Sequence, residues 1–217
     1  MDMRITAGRH AWLCIVLCAA CAPPDTETEA GAAAAPAAAP AVAASVPGQA
    51  LACVKQRPDM DRSMSPYDSV LVDVGGGGAK ICYSRPSARG RMVFDSLVPY
   101  GTLWRTGANE PTILHTSLPL RIAGIAVPAG SYSIYTIPEP SGDWQVVLNR
   151  SISQWGHEGS YDAAVEAQEV GRAPVPSTTI PQPVEQFTIR AEPAGAGAVN
   201  VILEWATTRV TIPVTAG

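Results

Sequence analysis

The chain has 217 residues, of which 47% are apolar and 16% charged, and its formal net charge is -4. That length admits one or two domains. An acidic balance speaks against a nucleic-acid partner, which would call for a basic surface.

Composition is uneven along the chain, beginning at the amino terminus. Arg4, Arg9 and His10 precede the apolar run AWLCIVLCAA. About ten residues is too short for a transmembrane helix, which needs roughly 20, but it suits the core of a secretory signal peptide, predicted over residues 1–20. The run ends in LCAAC, which resembles the lipobox of bacterial lipoproteins, in which the cysteine becomes the lipidated first residue. The resemblance implies lipidation at Cys21 and an exported chain, anchored in the bacterial envelope at the outer membrane and facing the periplasm. Cys18 stands where leucine is usual, so cleavage and release is the alternative. Residues 21–50 then form an alanine- and proline-rich tether with almost no large apolar side chain. Such a segment has nothing to bury against its ordering entropy, and Pro23, Pro24, Pro36, Pro40 and Pro47 interrupt any helix, so a disordered linker is expected.

Of the five cysteines, Cys53 and Cys82 fall in the remaining domain, residues 51–217. In an exported chain they are a candidate disulfide, two buried thiols being the alternative. Neither has C-x-x-C spacing and only His115 and His157 accompany them, so neither a metal nor a cofactor is expected.

From Leu51 onward the apolar pattern has period two, the signature of strands. SVLVDV (69–74) and AKICYSR (79–85) flank four glycines, read as a hairpin loop. Further strands are predicted at 112–117, 120–124, 125–130, 131–137, 143–150, 184–191, 198–205 and 208–214. Residues 161–170, YDAAVEAQEV, are the one helical candidate, and Pro174, Pro176, Pro181 and Pro183 suggest an extended connection before Val184. The expected fold is therefore all-β: an antiparallel β-sandwich with one long ordered loop and at most one short helix. Inward positions should include Val70, Val72, Ile81, Tyr83, Ile113, Ile134, Val146, Leu148, Phe187, Ile189, Ile202 and Val210.

The long loop is where polar and aromatic groups concentrate: YSRPSARGRMVFDSLVPYGTLWRTGANE, residues 83–110. Between Lys80 and Arg105, Lys80, Arg85, Arg89, Arg91 and Arg105 stand against a single Asp95 in an otherwise acidic chain. Guanidinium forks suit carboxylates and phosphates, and the faces of Tyr100 and Trp104 suit a sugar. Arg85, Arg91, Tyr100, Trp104, Arg105, Asn109 and Glu110 are accordingly the candidate ligand residues for a small anionic or sugar-like group. A second reading makes the protein a hydrolase of envelope material with Glu110 as general base, in an acid and base pair with His157 or Asp162. A third makes the loop a self-satisfied network, with Arg105 reaching Glu110 across a turn and Arg85 or Arg91 bonding loop carbonyls, in a structural or partner-binding protein. QWGHEGSYD (154–162) is a further cluster whose Gln154, Trp155 and Tyr161 would face that loop.

The loop, together with PAGSYSIYTIP, QWG, PVEQFTI and LEW, resembles the bacterial exported domain-of-unknown-function family 2911, over about Ser65 to Val214. Tyr83, Arg85, Pro86, Gly90, Arg91, Tyr100, Gly101, Trp104, Arg105, Gly107, Asn109 and Glu110 lie on the family motif. The resemblance implies a secreted or lipid-anchored β-rich domain and carries no reaction with it. The chain departs from the family pattern at Asp95, where a glycine is usual, and at Pro111.

Overall fold

A computed structural model describes residues 51–56, 64–75 and 77–217, the side chain of Glu158 excepted. The signal, Cys21 and the tether lie outside the described residues. β1 (Tyr67–Val74), β2 (Gly77–Ser84), β3 (Thr112–Thr116), β4 (Leu120–Ile122), β5 (Ile125–Val127), β6 (Gly130–Ile137) and β7 (Trp144–Asn149) come first. A single helical turn, α1 (Ala163–Glu166), precedes β8 (Glu169–Val175), β9 (Ser177–Pro193) and β10 (Ala198–Ala216). The strands form two antiparallel sheets, ordered β1-β2-β3-β6-β7-β8 and β5-β4-β10-β9. The fold is the expected all-β sandwich.

Alternation explains most of the strands. Val72 and Val74, Ile81 and Tyr83, Ile134, Val146 and Leu148 of the larger sheet meet Phe187, Ile189, Val201 and Leu203 of the smaller one in a continuous core. β10 shows how the alternation survives a defect. Val199, Val201, Leu203 and Trp205 are inward at odd positions, whereas Val210, Ile212 and Val214 are inward at even ones. Between them Ala206 takes φ 49 and the register with β9 shifts. An offset of one residue exchanges the two faces of a strand, so the bulge restores the core-facing set. The runs 198–205 and 208–214, expected as separate strands, are thus one bulged strand.

Four expectations change. The helix expected over 161–170 covers only Ala163–Glu166, capped by Asp162, whose Oδ1 accepts from the Ala164 and Val165 amides at 3.0 and 2.9 Å. A lone turn is marginal, and Glu169 onward instead pairs with β7 as a strand. Pro174, Pro181 and Pro183 lie inside strands, not in a connection. β8 and β9 are edge strands, the place where a missing amide costs least. The glycine run is only partly a loop, because Gly77 already pairs with Val74, and a Cβ there would overlap the Leu118 side chain. Val70, on edge strand β1, is only half-buried, and Ile113 and Ile202 are buried on outer faces of the sheets, while the other expected inward residues lie in the core.

The middle strands of the larger sheet are buried on both faces. Cys82, Ile113, Tyr135 and Val147 are sealed on the outer side, where residues 51–56 and 151–168 cross. Cys53 and Cys82 form a disulfide with Cα atoms 5.7 Å apart, which holds the first of these segments to β2. The second is held by Asn149, whose Nδ2 donates to Val165 O (2.6 Å) and Tyr161 Oη (3.2 Å).

Candidate functional site

The long loop leaves β2 at Arg85 and enters β3 at Thr112, and its middle plugs one end of the sandwich. Phe94 packs edge-on against Trp144 (5.0 Å between centroids), Trp104 and Trp205, while Trp104 stacks on Trp205 at 5.8 Å. The Trp104 and Thr136 backbones exchange hydrogen bonds of 2.7 and 2.9 Å, so the loop is pinned to β6 at that point. Trp104, expected as an open stacking face, is only 5% exposed.

From Trp104 to Thr112 the chain folds into a knot of local bonds. The Trp104 indole donates to Gly107 O (3.1 Å), Thr112 Oγ1 to Thr106 O (2.6 Å), and the Thr112 amide to Arg105 O (3.1 Å). Thr106 and Asn109 adopt left-handed φ of 56 and 64. Gly107 presses against β2, where a Cβ would stand 3.0 Å from Ser84 O. Gly156 of the QWG cluster packs onto the other side, leaving no room for a Cβ against Arg105 Cδ and Asn109 O, and Arg105 Nη1 donates to Gly156 O at 2.7 Å. The cluster meets the loop at Gly156 and not through the expected Gln154 or Tyr161, the latter bonding Asn149 and Glu169. Gln154 instead bonds Ser133, Tyr135 and Ser151.

Glu110 sits beneath this knot, 2% exposed. Its Oε2 accepts from the Gln56 amide at 2.8 Å, and the Tyr67 hydroxyl also bonds the carboxylate. Gln56 is held in turn by its own side chain, which donates to Ile152 O (2.9 Å) and Gln154 O (3.2 Å). Burial pushes the Glu110 carboxyl above its ordinary value, against the lowering effects of the Gln56 amide, Lys55 and Tyr67. Burial, with the Glu110 charge behind it, raises the Tyr67 phenol. Neither Gln56 nor Tyr67 was among the sequence candidates. Gln56 lies 54 positions from Glu110 in sequence, and no local pattern marks such a partner.

The arginines part company. Arg85 is tied to β9 and β1, donating to Phe187 O (3.1 Å), Thr188 Oγ1 (2.9 Å) and Asp68 Oδ2 (3.2 Å). Arg91 bonds its own turn, Nε to Ala88 O (2.9 Å) and Nη2 to Ser87 O (2.8 Å). Arg91 and Arg105 line one groove of about 470 Å³, with Pro99, Leu103 and Ala108 among its walls and the edges of Trp104 and Trp205 at its base. Arg85, Asn109 and Glu110 do not line it, and Tyr100 lines a different one. His157 is exposed, its Nδ1 accepting from the Gly159 amide (3.0 Å), and Asp162 is the cap of α1. The carboxylate of Glu110 bonds Gln56 and Tyr67 instead of either of these.

Among the described residues, no cluster of three or more His, Cys, Asp or Glu side chains is placed to hold a metal ion. Nor is any helix among them long and apolar enough to cross a membrane. A family described as "Protein of unknown function (DUF2911)" matches residues 65–214. No curated protein and no solved structure matches the chain. The matched span covers both sheets and the whole of the long loop, and the chain belongs to the DUF2911 family.

Proposed function

We propose that this DUF2911 member is a binding module of the bacterial envelope, tethered through a lipid on Cys21, whose groove beside Trp104 takes a small anionic group. The observation that carries the reading is that Arg91 and Arg105 line one concavity with an apolar base. Its volume of about 470 Å³ falls within the roughly 300–1,000 Å³ of small-molecule sites. Arg91 is exposed, and two carbonyls of its own turn hold its Nε and Nη2. A guanidinium already oriented in this way loses less entropy when an anion binds. Export is supported by the signal-like amino terminus and by the Cys53–Cys82 bond, which suits an oxidising compartment.

The hydrolase reading with Glu110 as base draws no support. That carboxyl is buried under residues of the loop and bonded to Gln56 and Tyr67, outside the groove lining. The bonds of Arg85 and the Trp104–Thr112 knot favour a fold-building role for much of the motif, while the groove lined by Arg91 and Arg105 is open.

The test is a thermal-shift and calorimetric titration of the full chain with phosphate, citrate and glucuronate. At a hundredfold excess over Kd, a bound anion stabilises by about 2.7 kcal/mol, which for a domain of this size is a rise of roughly 5–11 °C. Arg91→Ala should abolish that rise while leaving the unliganded melting temperature nearly unchanged. If none of these anions moves the transition, the binding reading is refuted. Cys21→Ser should move the protein from the membrane to the soluble fraction.

A further inference from the structure

A second groove lies at the same end of the sandwich and has a different chemistry. It is walled by Tyr100, by the β6–β7 turn carrying Glu139, and by Thr178, Thr179, Thr207 and Thr208 of β9 and β10, with the buried Trp144 behind them. Its volume is about 310 Å³, at the low end of the range for small-molecule sites.

The bulge that corrects the phase of β10 also builds this wall. Ala206 pairs with Val184 and Thr208 with Thr179, so Ile180, Pro181, Gln182 and Pro183 have no register partner on β10. Thr208 and Thr179 are cross-strand partners, so their side chains share one face. The rim is fixed: Ser177 Oγ donates to Gly142 O at 2.6 Å, the Trp144 indole to Glu139 O at 3.2 Å, and the Gly101 amide to Pro138 O at 2.8 Å.

The four threonine hydroxyls form no side-chain hydrogen bond with the described residues, and the Glu139 carboxylate has no ion-pair partner among them. Thr179 and Thr208, which share a face, therefore line one small polar hollow with Glu139 and Tyr100, and Thr178 and Thr207 flank them along the strands. Glu139 is its only charged side chain, which disfavours an anion, and a single carboxylate is a poor cage for a metal ion. We infer that this groove binds a neutral saccharide, whose ring C–H face lies on Tyr100 while its hydroxyls exchange hydrogen bonds with the threonines and donate to Glu139. This site is separate from the arginine-lined groove and does not depend on the reading given for it.

The test is an amide and indole NMR titration of the full chain with glucose, N-acetylglucosamine and cellobiose to tens of millimolar. Shifts are expected at residues 178–179 and 207–208 and at the Trp144 indole. Thr208→Val and Glu139→Gln should each weaken binding about fivefold, as loss of one hydrogen bond implies, with melting temperatures unchanged. Arg91→Ala should leave sugar binding intact. No response to any of the three sugars overturns the proposal, and so does a response that both Thr208→Val and Glu139→Gln leave untouched. Thr208→Val lies in a strand, so Glu139→Gln, in the half-buried β6–β7 turn, decides if the first lowers stability. Phosphate shifts confined to the Arg91 groove report on the other site alone.

Discussion

Replacing Cys53 and Cys82 together by alanine tests whether residues 51–56 belong to the folded unit. The bond spans 29 positions. In the chain-entropy description, closing a loop of that length constrains the unfolded chain by about 12 cal/mol/K, or about 3.6 kcal/mol at 25 °C. For a domain of this size each kcal/mol corresponds to roughly 2–4 °C, so the double variant should melt about 7–14 °C lower. The folded state adds a local consequence. Without the bond, the segment would rest on contacts such as the Gln56 amide that donates to Glu110, the Gln56 side chain that donates to Ile152 and Gln154, and Lys55 over the Tyr67 ring. Scanning calorimetry with and without reductant reads the first effect, and hydrogen exchange at the Gln56 amide reads the second. Wild type in reductant should fall to the level of the variant, and the variant should ignore reductant. A double variant melting within about 2 °C of wild type, with Gln56 still protected, would refute the reasoning by showing that the bond joins parts already held by other means.

Three further outcomes are expected. Because burial raises the Glu110 carboxyl, the folded state holds that proton more tightly than the unfolded chain. Its contribution is complete below the ordinary carboxyl value and is lost as pH rises through the folded one, so Glu110→Gln should raise the melting temperature at pH 7 but not at pH 4. An equal fall at both values would remove carboxylate burial as the cause. Gly156→Ala should cost about 1–3 kcal/mol in urea unfolding, since the new methyl meets backbone at Asn109 as well as the Arg105 side chain. A neutral substitution would mean the QWG turn yields freely. Trp104→Ala should cost about 3–5 kcal/mol by the same assay, because the indole fills the space between Phe94, Phe187 and Trp205. A loss below about 1 kcal/mol would show that the loop plug is not part of the core.

The motif positions divide by the range of the interaction that explains them. Arg91 bonding loop carbonyls was legible, because its acceptors lie three and four residues away. Asp95 adopts φ 77, a conformation for which glycine is the easy choice. The change at β10 from odd to even inward positions is also present in the sequence, although a one-residue phase change resembles a strand end until the neighbouring strand is seen. The ligand set was less legible. Arg85, Tyr100 and Glu110 look equivalent to Arg91 and Arg105 along the chain, but β9, the β6–β7 turn and the amino-terminal segment draw them to three other places.

By itself the sequence determined the antiparallel β class, the inward residues of most strands and the pairing of Cys53 with Cys82 as a candidate bond. These follow from periodicity and residue type, which act over a few positions. Only the tertiary structure decided that Glu110 is sealed, that Arg91 and Arg105 share a groove, and that four threonines line another with Tyr100. Those outcomes depend on segments far apart in sequence competing for the same space and the same hydrogen-bonding groups.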